Sequence, residues 1–312
     1  MKAIGIILAG GNNNRMKELT AKRAVPALPV AGSFRAIDFS LSSMSNSHIQ
    51  TVAILTQYNA RSLNEHLSSS KWWNFGRKQG GLFLFTPTVT ADNSDWYRGT
   101  ADAMYQNIDF LKRRHEPYVI ISSGDCVYKL DFNRVLDFHI EKKSDITVVC
   151  KDMMYNDDVS RFGVVRMDEE SRITEFDEKP IEASSNTIST GIYVIRRRQL
   201  IELLEAAAEE NRFDFVNDIL VRYKNVKKIY GYKINSYWNN IADIDAYFKT
   251  NMDFLRPDVR SYFFREEPTI CSKVDDLPPA KFNPGSDISN SLVSSGCIIN
   301  LSLIHISEPT RH

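Results

Sequence analysis

Short runs of consecutive apolar residues alternate along the chain with segments in which apolar residues recur every three or four positions. The continuous runs are typical of strands buried on both faces of a parallel sheet, and the longer period is typical of covering helices. The runs predict central strands at residues 3–8, 51–55, 118–122, 145–150 and 188–195. The longer period predicts helices at residues 37–44, 101–113, 131–142, 200–209 and 243–254, with Thr100 as the N-cap of the second. This alternation predicts an α/β fold.

Two later segments depart from this alternation. Apolar residues alternate with polar ones on both sides of residues 168–171, which predicts an antiparallel hairpin added to the main sheet. Residues 256–284 contain five prolines and no regular period, which predicts a linker between two units. We therefore expect a first domain at residues 1–255, a linker at 256–286 and a second unit at 287–312.

The second unit carries a short repeat. Leu292 and Ile298 lie six residues apart, with Gly and Asn between and after them, as in the first turns of a parallel β-helix. A single hairpin would have the same spacing. Because a solenoid needs at least about three coils, and no repeat continues beyond Ile304, we expect a truncated β-helix whose last residues, 302–312, are not native.

Composition excludes several classes of partner. Lys plus Arg and Asp plus Glu both total 39, so the zero net charge argues against nucleic acid or an anionic membrane. No stretch approaches the roughly 20 apolar residues of a membrane span, and the N-terminal apolar run is too short for a signal peptide. The four cysteines are widely spaced, which favours free thiols in a reducing compartment. We expect a cytoplasmic protein.

The first predicted strand runs into a candidate phosphate loop. Gly10 and Gly11 supply bare backbone amides, and Arg15 follows four residues later, an arrangement that suits a polyphosphate. An ordinary strand-to-helix turn would also fit. The glycine spacing and the acidic residue of a dinucleotide fingerprint are missing, as is a Walker-type ending, so neither an NAD enzyme nor a typical ATPase is indicated.

Three further motifs could carry chemistry. Asp125 follows a predicted central strand, where a carboxylate can hold Mg²⁺ against phosphate oxygens or simply form a turn. Tyr97 and Arg98 precede a predicted helix, so that a base could stack while the guanidinium and helix amides meet phosphate; an aromatic anchor is the alternative. Glu178 and Lys179 suit a sugar phosphate or form a solvated charge cluster.

Taken in order, these motifs resemble bacterial glucose-1-phosphate adenylyltransferases. The resemblance extends from residue 1 to about residue 300. The matching segments are Leu8-Ala-Gly-Gly, Lys22-Arg-Ala, Phe34-Arg-x-Ile-Asp38-Phe, Thr56-Gln-Tyr, Trp96-Tyr-Arg-Gly-Thr-Ala-Asp-Ala, Gly124-Asp, Phe162-Gly-Val, Glu178-Lys-Pro, Gly191-Ile-Tyr-Val, Leu277-Pro-Pro-Ala-Lys-Phe and Asn290-Ser-Leu-Val-Ser-Ser-Gly-Cys.

The resemblance implies a fold, a reaction and a set of site residues. The fold would be a nucleotidyltransferase domain with a mostly parallel, Rossmann-like sheet, followed by a left-handed β-helix. The reaction would convert ATP and glucose-1-phosphate to ADP-glucose and pyrophosphate for glycogen synthesis, with Mg²⁺, in tetramers. The catalytic residues would be Arg15 and Lys179. The implied binding residues are Gly10, Gly11, Tyr97, Gly99 and Thr100 for the nucleotide, Glu178, Lys179 and Ser189 for the sugar phosphate, and Asp125 for the metal.

Three positions depart from the family pattern. Asn13 replaces the third loop glycine, Val25 replaces a phosphate-facing lysine, and Asn240 replaces the second metal-binding aspartate. Each change removes space or charge where negative charge gathers during the reaction. We therefore expect the regulatory type of subunit, weak or silent alone, in a heterotetramer with a catalytic subunit. The alternatives are an active adenylyltransferase and a non-catalytic sensor of ATP or glucose-1-phosphate.

Overall fold

A computed structural model describes residues 2–11, 14–76, 80–88, 96–154 and 157–300. The strands are β1 (Ala3–Ala9), β2 (Pro29–Val30), β3 (Phe34–Arg35), β4 (Thr51–Thr56), β5 (Gly81–Phe85), β6 (Tyr118–Ser123), β7 (Cys126–Tyr128), β8 (Ile146–Asp152), β9 (Gly163–Met167), β10 (Ile173–Glu178), β11 (Thr187–Arg196), β12 (Ile229–Lys233), β13 (Trp238–Asn240), β14 (Lys281–Phe282) and β15 (Ile298–Ile299).

The α-helices are α1 (Ala36–Asn46), α2 (Arg61–Leu67), α3 (Thr100–Gln106), α4 (Ile108–Lys112), α5 (Phe132–Glu141), α6 (Arg197–Glu209), α7 (Ile244–Asp253) and α8 (Pro257–Phe264). Short 3₁₀ segments lie at Asn14–Thr20, Val25–Ala27 and Ser70–Trp73, and a π-helical segment lies at Val216–Val221. Within the described part of the chain, no helix combines the length and the apolar character needed to cross a bilayer.

The main sheet is parallel at its centre. β1 lies between β4 and β6 and is parallel to both, and β5 extends the parallel part beyond β4. β11 runs antiparallel to both β6 and β8, and β12 is parallel to β8. The predicted strands are therefore present, but the direction of β11 did not follow from its apolar run, because a strand buried on both faces has the same composition in either direction.

The two faces of the sheet carry separate cores. Ile7 of β1 belongs to the core that includes Leu41 of α1 and Leu136 of α5. Its neighbour Ile6 points the other way, into the core that includes Met104 of α3 and Leu204 of α6. This alternation of side chains along one strand explains why every residue of the run is apolar or glycine.

The helix predicted at residues 101–113 is in fact two helices, α3 and α4, which meet at Asn107. The Asn107 side chain donates to the Ala103 carbonyl and to the Tyr97 hydroxyl, each at 2.9 Å. Asparagine competes with the backbone for hydrogen bonds inside helices, which accounts for the break. The N-cap is Gly99 rather than Thr100, which is the first helical residue.

The hairpin predicted around residues 168–171 is confirmed. β9 and β10 pair in antiparallel register, with Glu178 opposite Gly163. The hairpin joins the main sheet where Ile188 of β11 pairs with Val164. Its last residue, Glu178, is thereby carried to the carboxyl side of the sheet's parallel centre.

The start of the predicted linker differs from expectation, because α8 forms there. Val259 and Phe263 are buried, and the Phe263 ring packs edge-on against Phe39 at a centroid distance of 5.3 Å. Pro257 opens the helix at a position where its missing N–H costs nothing, so this proline marks a helix start rather than a break. The domain boundaries themselves remain a prediction.

The six-residue pair does not share one buried face. Leu292 packs on the core around Phe39, whereas the Ile298 side chain is 63% exposed. The next residue, Ile299, is the buried one, and its strand β15 pairs in parallel with β14. Ile304 and the rest of residues 301–312 lie outside the described residues.

A buried histidine gives the fold a specific pH dependence. His139 on α5 is 1% exposed, and its Nδ1 lies 2.8 Å from Thr147 Oγ1. Burial, aided by the charge of Arg196, lowers the pKa of His139 to about 4 from 6.5. Between these values the unfolded chain binds more protons, so the free energy of unfolding should fall as pH is lowered from about 6.5 to 4.

The variant His139→Gln should reduce this part of the pH dependence, as measured by urea unfolding at several pH values. His115→Gln is the matched comparison, because it removes a histidine from an exposed position outside the core. Equal slopes for wild type and His139→Gln would contradict the assignment.

Candidate active site

A cavity of about 520 Å³ opens at the carboxyl ends of β1, β4 and β6. It contains most of the residues predicted to bind nucleotide, together with Asp125 and Val25. Its described lining is Leu8, Ala9, Gly10, Gly11, Val25, Pro26, Leu55, Gln57, Tyr58, Tyr97, Arg98, Gly99, Thr100, Ala103, Ser123 and Asp125. The parallel strands therefore bring these distant segments to one edge of the sheet, as α/β folds commonly do.

The two loop glycines have different surroundings. A Cβ added at Gly10 would lie 3.2 Å from the Gln57 Cβ, so this position is tightly packed. Among the described residues, apart from the chain neighbours, a Cβ at Gly11 would meet no atom within 4 Å, and Gly11 lines the cavity. Asn13 lies outside the described residues, so the crowding expected there remains a prediction.

Arg15 is exposed and does not line the cavity. Hydrogen bonds from Ser160 lower the pKa of the Asp158 carboxyl, and the charges of Arg161 and Arg15 lower it further. Arg15 therefore lies within the electrostatic reach of the segment that precedes β9. This neighbourhood was not anticipated from the sequence.

Gln57 fixes the segment that carries Tyr97. The Gln57 Oε1 accepts a hydrogen bond from the Tyr97 backbone N–H at 2.6 Å, and its Nε2 donates to the Tyr97 carbonyl at 3.4 Å. The pair joins the end of β4 to the chain before α3. Burial raises the pKa of the Tyr97 hydroxyl, which also accepts from Asn107. The phenol therefore stays neutral and anchored at the cavity wall.

The amino end of α3 is not available to phosphate in the way the sequence predicted. The Phe213 carbonyl accepts hydrogen bonds from the N–H groups of Ala101 at 2.8 Å and Asp102 at 3.2 Å. The Arg98 guanidinium lies 3.8 Å from the centre of the Phe213 ring and pairs with Asp102. Because Phe213 is far away in sequence, no local pattern could have revealed that it occupies these donors.

Asp125 and Asn240 are brought together by the pairing of β7 with β13. The Asp125 backbone carbonyl accepts from the Ile241 N–H at 2.9 Å, and Asn240 lies opposite Cys126. The Asp125 Oδ1 accepts from the Ser123 hydroxyl at 2.5 Å. The resemblance paired these two positions as metal ligands, and they are neighbours in the fold.

The Asn240 amide is held by its surroundings. Its Oδ1 accepts from the Ala242 N–H at 3.0 Å, and its Nδ2 donates to Cys126 Sγ at 3.4 Å. Burial raises the pKa of the Cys126 thiol, which therefore remains protonated. Position 240 thus contributes a neutral amide beside the Asp125 carboxylate.

The donor set here fits Mg²⁺ only with help from substrate. Magnesium is usually bound through one or two carboxylates, with water and substrate phosphates completing its octahedron. Asp125 supplies one carboxylate. In the parts of the chain that the structure describes, no group of three or more His, Cys, Asp or Glu residues forms a metal cluster. The residues therefore fit a site that substrate phosphates and water would complete.

Val25 belongs to a hydrophobic core as well as to the cavity wall. It opens the 3₁₀ segment Val25–Ala27, is 4% exposed and packs in the cluster that includes Met16 and Leu28. The cavity therefore has an apolar wall at the position where the resemblance expects a phosphate-facing cation.

Glu178 and Lys179 are not among the described lining residues of the cavity. Burial raises the pKa of Glu178, and Lys179 opposes this shift, its Nζ lying 3.3 Å from Glu178 Oε1. The Lys179 backbone adopts φ of 50°, a strained value for a non-glycine residue, and its N–H donates to the Phe162 carbonyl at 3.1 Å. Side chain and backbone are thus both positioned at this turn.

Ser189 is buried on β11, where its hydroxyl donates to the Tyr193 hydroxyl at 3.3 Å. Asp214 lies close by and was missed by the sequence analysis. Burial raises the pKa of Glu178 and of Tyr193, and the charge of Asp214 raises each further. Thr100 donates to Asp214 at 3.3 Å, so Asp214 links the predicted nucleotide residues to the predicted sugar-phosphate residues.

The profile of the family described as Nucleotidyl transferase matches residues 4–256, which is most of the chain. The chain belongs to this family. The α/β nucleotidyltransferase domain expected from the sequence is therefore confirmed. The roles assigned to individual residues of this nucleotidyl transferase remain predictions.

Relatives of this nucleotidyl transferase carry a more specific name. It is 39% identical over 299 residues to a glucose-1-phosphate adenylyltransferase of Clostridium acetobutylicum, covering 95% of this chain and 78% of the relative. It is 38% identical over 301 residues to that of Pseudothermotoga lettingae, covering 96% and 71%. The enzyme of Geobacillus stearothermophilus is 35% identical over 301 residues, covering 96% and 78%.

The close approach of Phe213 to α3 makes Gly99 sensitive to substitution. A Cβ at Gly99 would overlap the Phe213 backbone carbonyl, which cannot rotate away as a side chain could. Gly99→Ala should lower the free energy of unfolding by about 1–3 kcal/mol through overpacking. Thermal or urea unfolding measures the change.

The open site at Gly11 offers the comparison variant. Gly11→Ala should change the free energy of unfolding by less than about 0.5 kcal/mol, as at other unconstrained surface sites. Equal stabilities for the two variants would show that Phe213 does not constrain position 99.

Proposed function

We propose that this nucleotidyl transferase is a subunit of a glucose-1-phosphate adenylyltransferase in glycogen biosynthesis, with weak or lost turnover of its own. The relatives' shared name supports the reaction, since they cover nearly the whole chain. The Asn240 amide beside Asp125 is the observation that supports the loss of turnover.

The reaction is a nucleotidyl transfer. A phosphate oxygen of glucose-1-phosphate attacks the α-phosphorus of ATP; the new P–O bond forms as the bond to pyrophosphate breaks, giving ADP-glucose. Gly10, Gly11 and Arg15 would hold the triphosphate, with Tyr97, Gly99 and Thr100 along the nucleoside. Glu178, Lys179 and Ser189 would hold the sugar phosphate.

Such a site acts mainly by placing charged groups around the phosphates, because phosphoryl-type transfer depends on positioning and electrostatic stabilisation. Asp125 would hold Mg²⁺, which when bound neutralises phosphate charge. With an amide at position 240 and a buried valine at position 25, the site has less charge than the reaction favours. Binding of substrates needs fewer of these groups than turnover does.

A subunit of this kind would act with a partner. We propose a heterotetramer with a catalytic subunit whose activity this chain adjusts. We also propose a C-terminal left-handed β-helix. The parallel pairing of β14 with β15 supports this proposal, because successive coils of a β-helix pair in parallel. Lys281 pairs with Ile298 and Phe282 with Ile299, each 17 residues apart.

An active adenylyltransferase is the second candidate. It is favoured by the retained Asp125, whose carboxylate borders the cavity, and by the retained Arg15 and Lys179. The two candidates differ in the turnover expected from the chain alone.

Restoring the second carboxylate should separate them. Asn240→Asp is close to isosteric, and we expect it to raise the rate of ADP-glucose formation by about 10²-fold, the size typical of one well-placed charge. A coupled pyrophosphate-release assay with ATP, glucose-1-phosphate and Mg²⁺ measures the rate.

The control is the double variant Asp125→Asn with Asn240→Asp, which should lose the gain because both positions are needed. A wild-type chain that turns over as fast as Asn240→Asp would contradict the proposed weak subunit and support the active enzyme instead.

A further inference from the structure

Arg161 occupies the turn before β9, and nothing in the sequence motifs singled it out. Its side chain is 24% exposed, its guanidinium pairs with Asp243, and it lies 5.0 Å from the centre of the Phe162 ring. A guanidinium has five N–H donors in a fixed fork, so an ion pair with one carboxylate leaves donors for a further acceptor.

Asp243 ties this arginine to the Asn240 segment. The Asp243 carboxylate accepts from the Ala246 N–H at 2.8 Å and so caps α7, which begins shortly after β13. On the other side, the Phe162 carbonyl next to Arg161 accepts from the Lys179 N–H. Arg161 therefore bridges the segment that carries Asn240 and the hairpin that carries Lys179.

Arg161 lies among charges of both signs, and Arg15 is the cation that acts on it. Burial lowers the pKa of the Arg161 guanidinium, Asp158 opposes this, and the positive charge of Arg15 lowers it again. The carboxylates of Asp125 and Asp245 also act on Arg161 and, like Asp158, favour its charged form. Two arginines that repel each other beside the cavity carboxylate would both be stabilised by a phosphate chain between them.

We propose that Arg161 binds the β- and γ-phosphates of the nucleoside triphosphate and the pyrophosphate formed from it, with Asp243 as its counter-ion in the free site. This inference rests on the proposed function. A guanidinium binds phosphate through two parallel N–H···O bonds, so Arg161 supplies cationic contacts of the kind that Val25 cannot.

Binding of inorganic pyrophosphate with Mg²⁺, measured by isothermal titration calorimetry, tests the proposal without requiring turnover. Arg161→Gln should weaken binding about ten- to a hundredfold, the range for hydrogen bonds to charged groups. The pyrophosphate affinity of Arg161→Lys should lie between those of the wild type and Arg161→Gln. Lysine keeps the positive charge but loses the paired N–H donors of the guanidinium.

Asp243→Asn removes the counter-ion while leaving a good N-cap, since asparagine caps helices as well as aspartate. It should tighten pyrophosphate binding about two- to fivefold, which corresponds to the free energy of a partly exposed ion pair. The gain should vanish in the double variant with Arg161→Gln, because the two residues act through one contact.

Arg166→Gln on β9 is the matched control. It removes the same charge from the same hairpin, where Arg166 pairs with Glu175 and is largely exposed. Its pyrophosphate affinity should equal that of the wild type. Equal affinities for Arg161→Gln and Arg166→Gln would overturn the role of Arg161 and leave the proposed function standing. A folded wild-type chain that binds neither pyrophosphate nor ATP would overturn both.

Discussion

The parallel pairing of β1 with β4 on one side and β6 on the other determines where the chain emerges from the sheet. This pairing places three residues side by side at one edge of the sheet. They are Gln57 after β4, Gly10 after β1 and Asp125 after β6. The Gly124 N–H donates to the Leu8 carbonyl at 2.9 Å, which continues the pairing beyond the last strand residues. A shift of register would separate the glycine turn from the carboxylate, and the cavity would lose one wall.

A second, smaller pairing has an effect out of proportion to its length. β7 and β13 share only three residue pairs, yet they place Asn240 beside Asp125, and α7 begins shortly after β13. Because residue 240 is held through backbone bonds, its side chain can change from carboxylate to amide without altering the frame. The backbone pairing that brings positions 125 and 240 together thus does not depend on the charge at position 240.

The features that depend on a continuous local pattern in the sequence, such as the positions of the strands, were predicted well. The apolar runs located the strands because burial on both faces demands such runs, and Asp125 could be singled out because it follows one of them. The direction of β11, the contact of Phe213 with α3 and the positions of Asp214 and Arg161 were not predicted. Each depends on residues distant in sequence, and a charged residue in a turn carries no local sign of what it faces.

The capping of α3 by the Phe213 carbonyl has a mechanical consequence. One oxygen accepts from the amides of Ala101 and Asp102, and the carboxylate of the next residue, Asp214, accepts from the Thr100 hydroxyl. The Phe213–Asp214 segment is therefore hydrogen-bonded to the amino end of α3, which borders the cavity. If either segment shifts to admit a ligand, the other must move with it or these hydrogen bonds break.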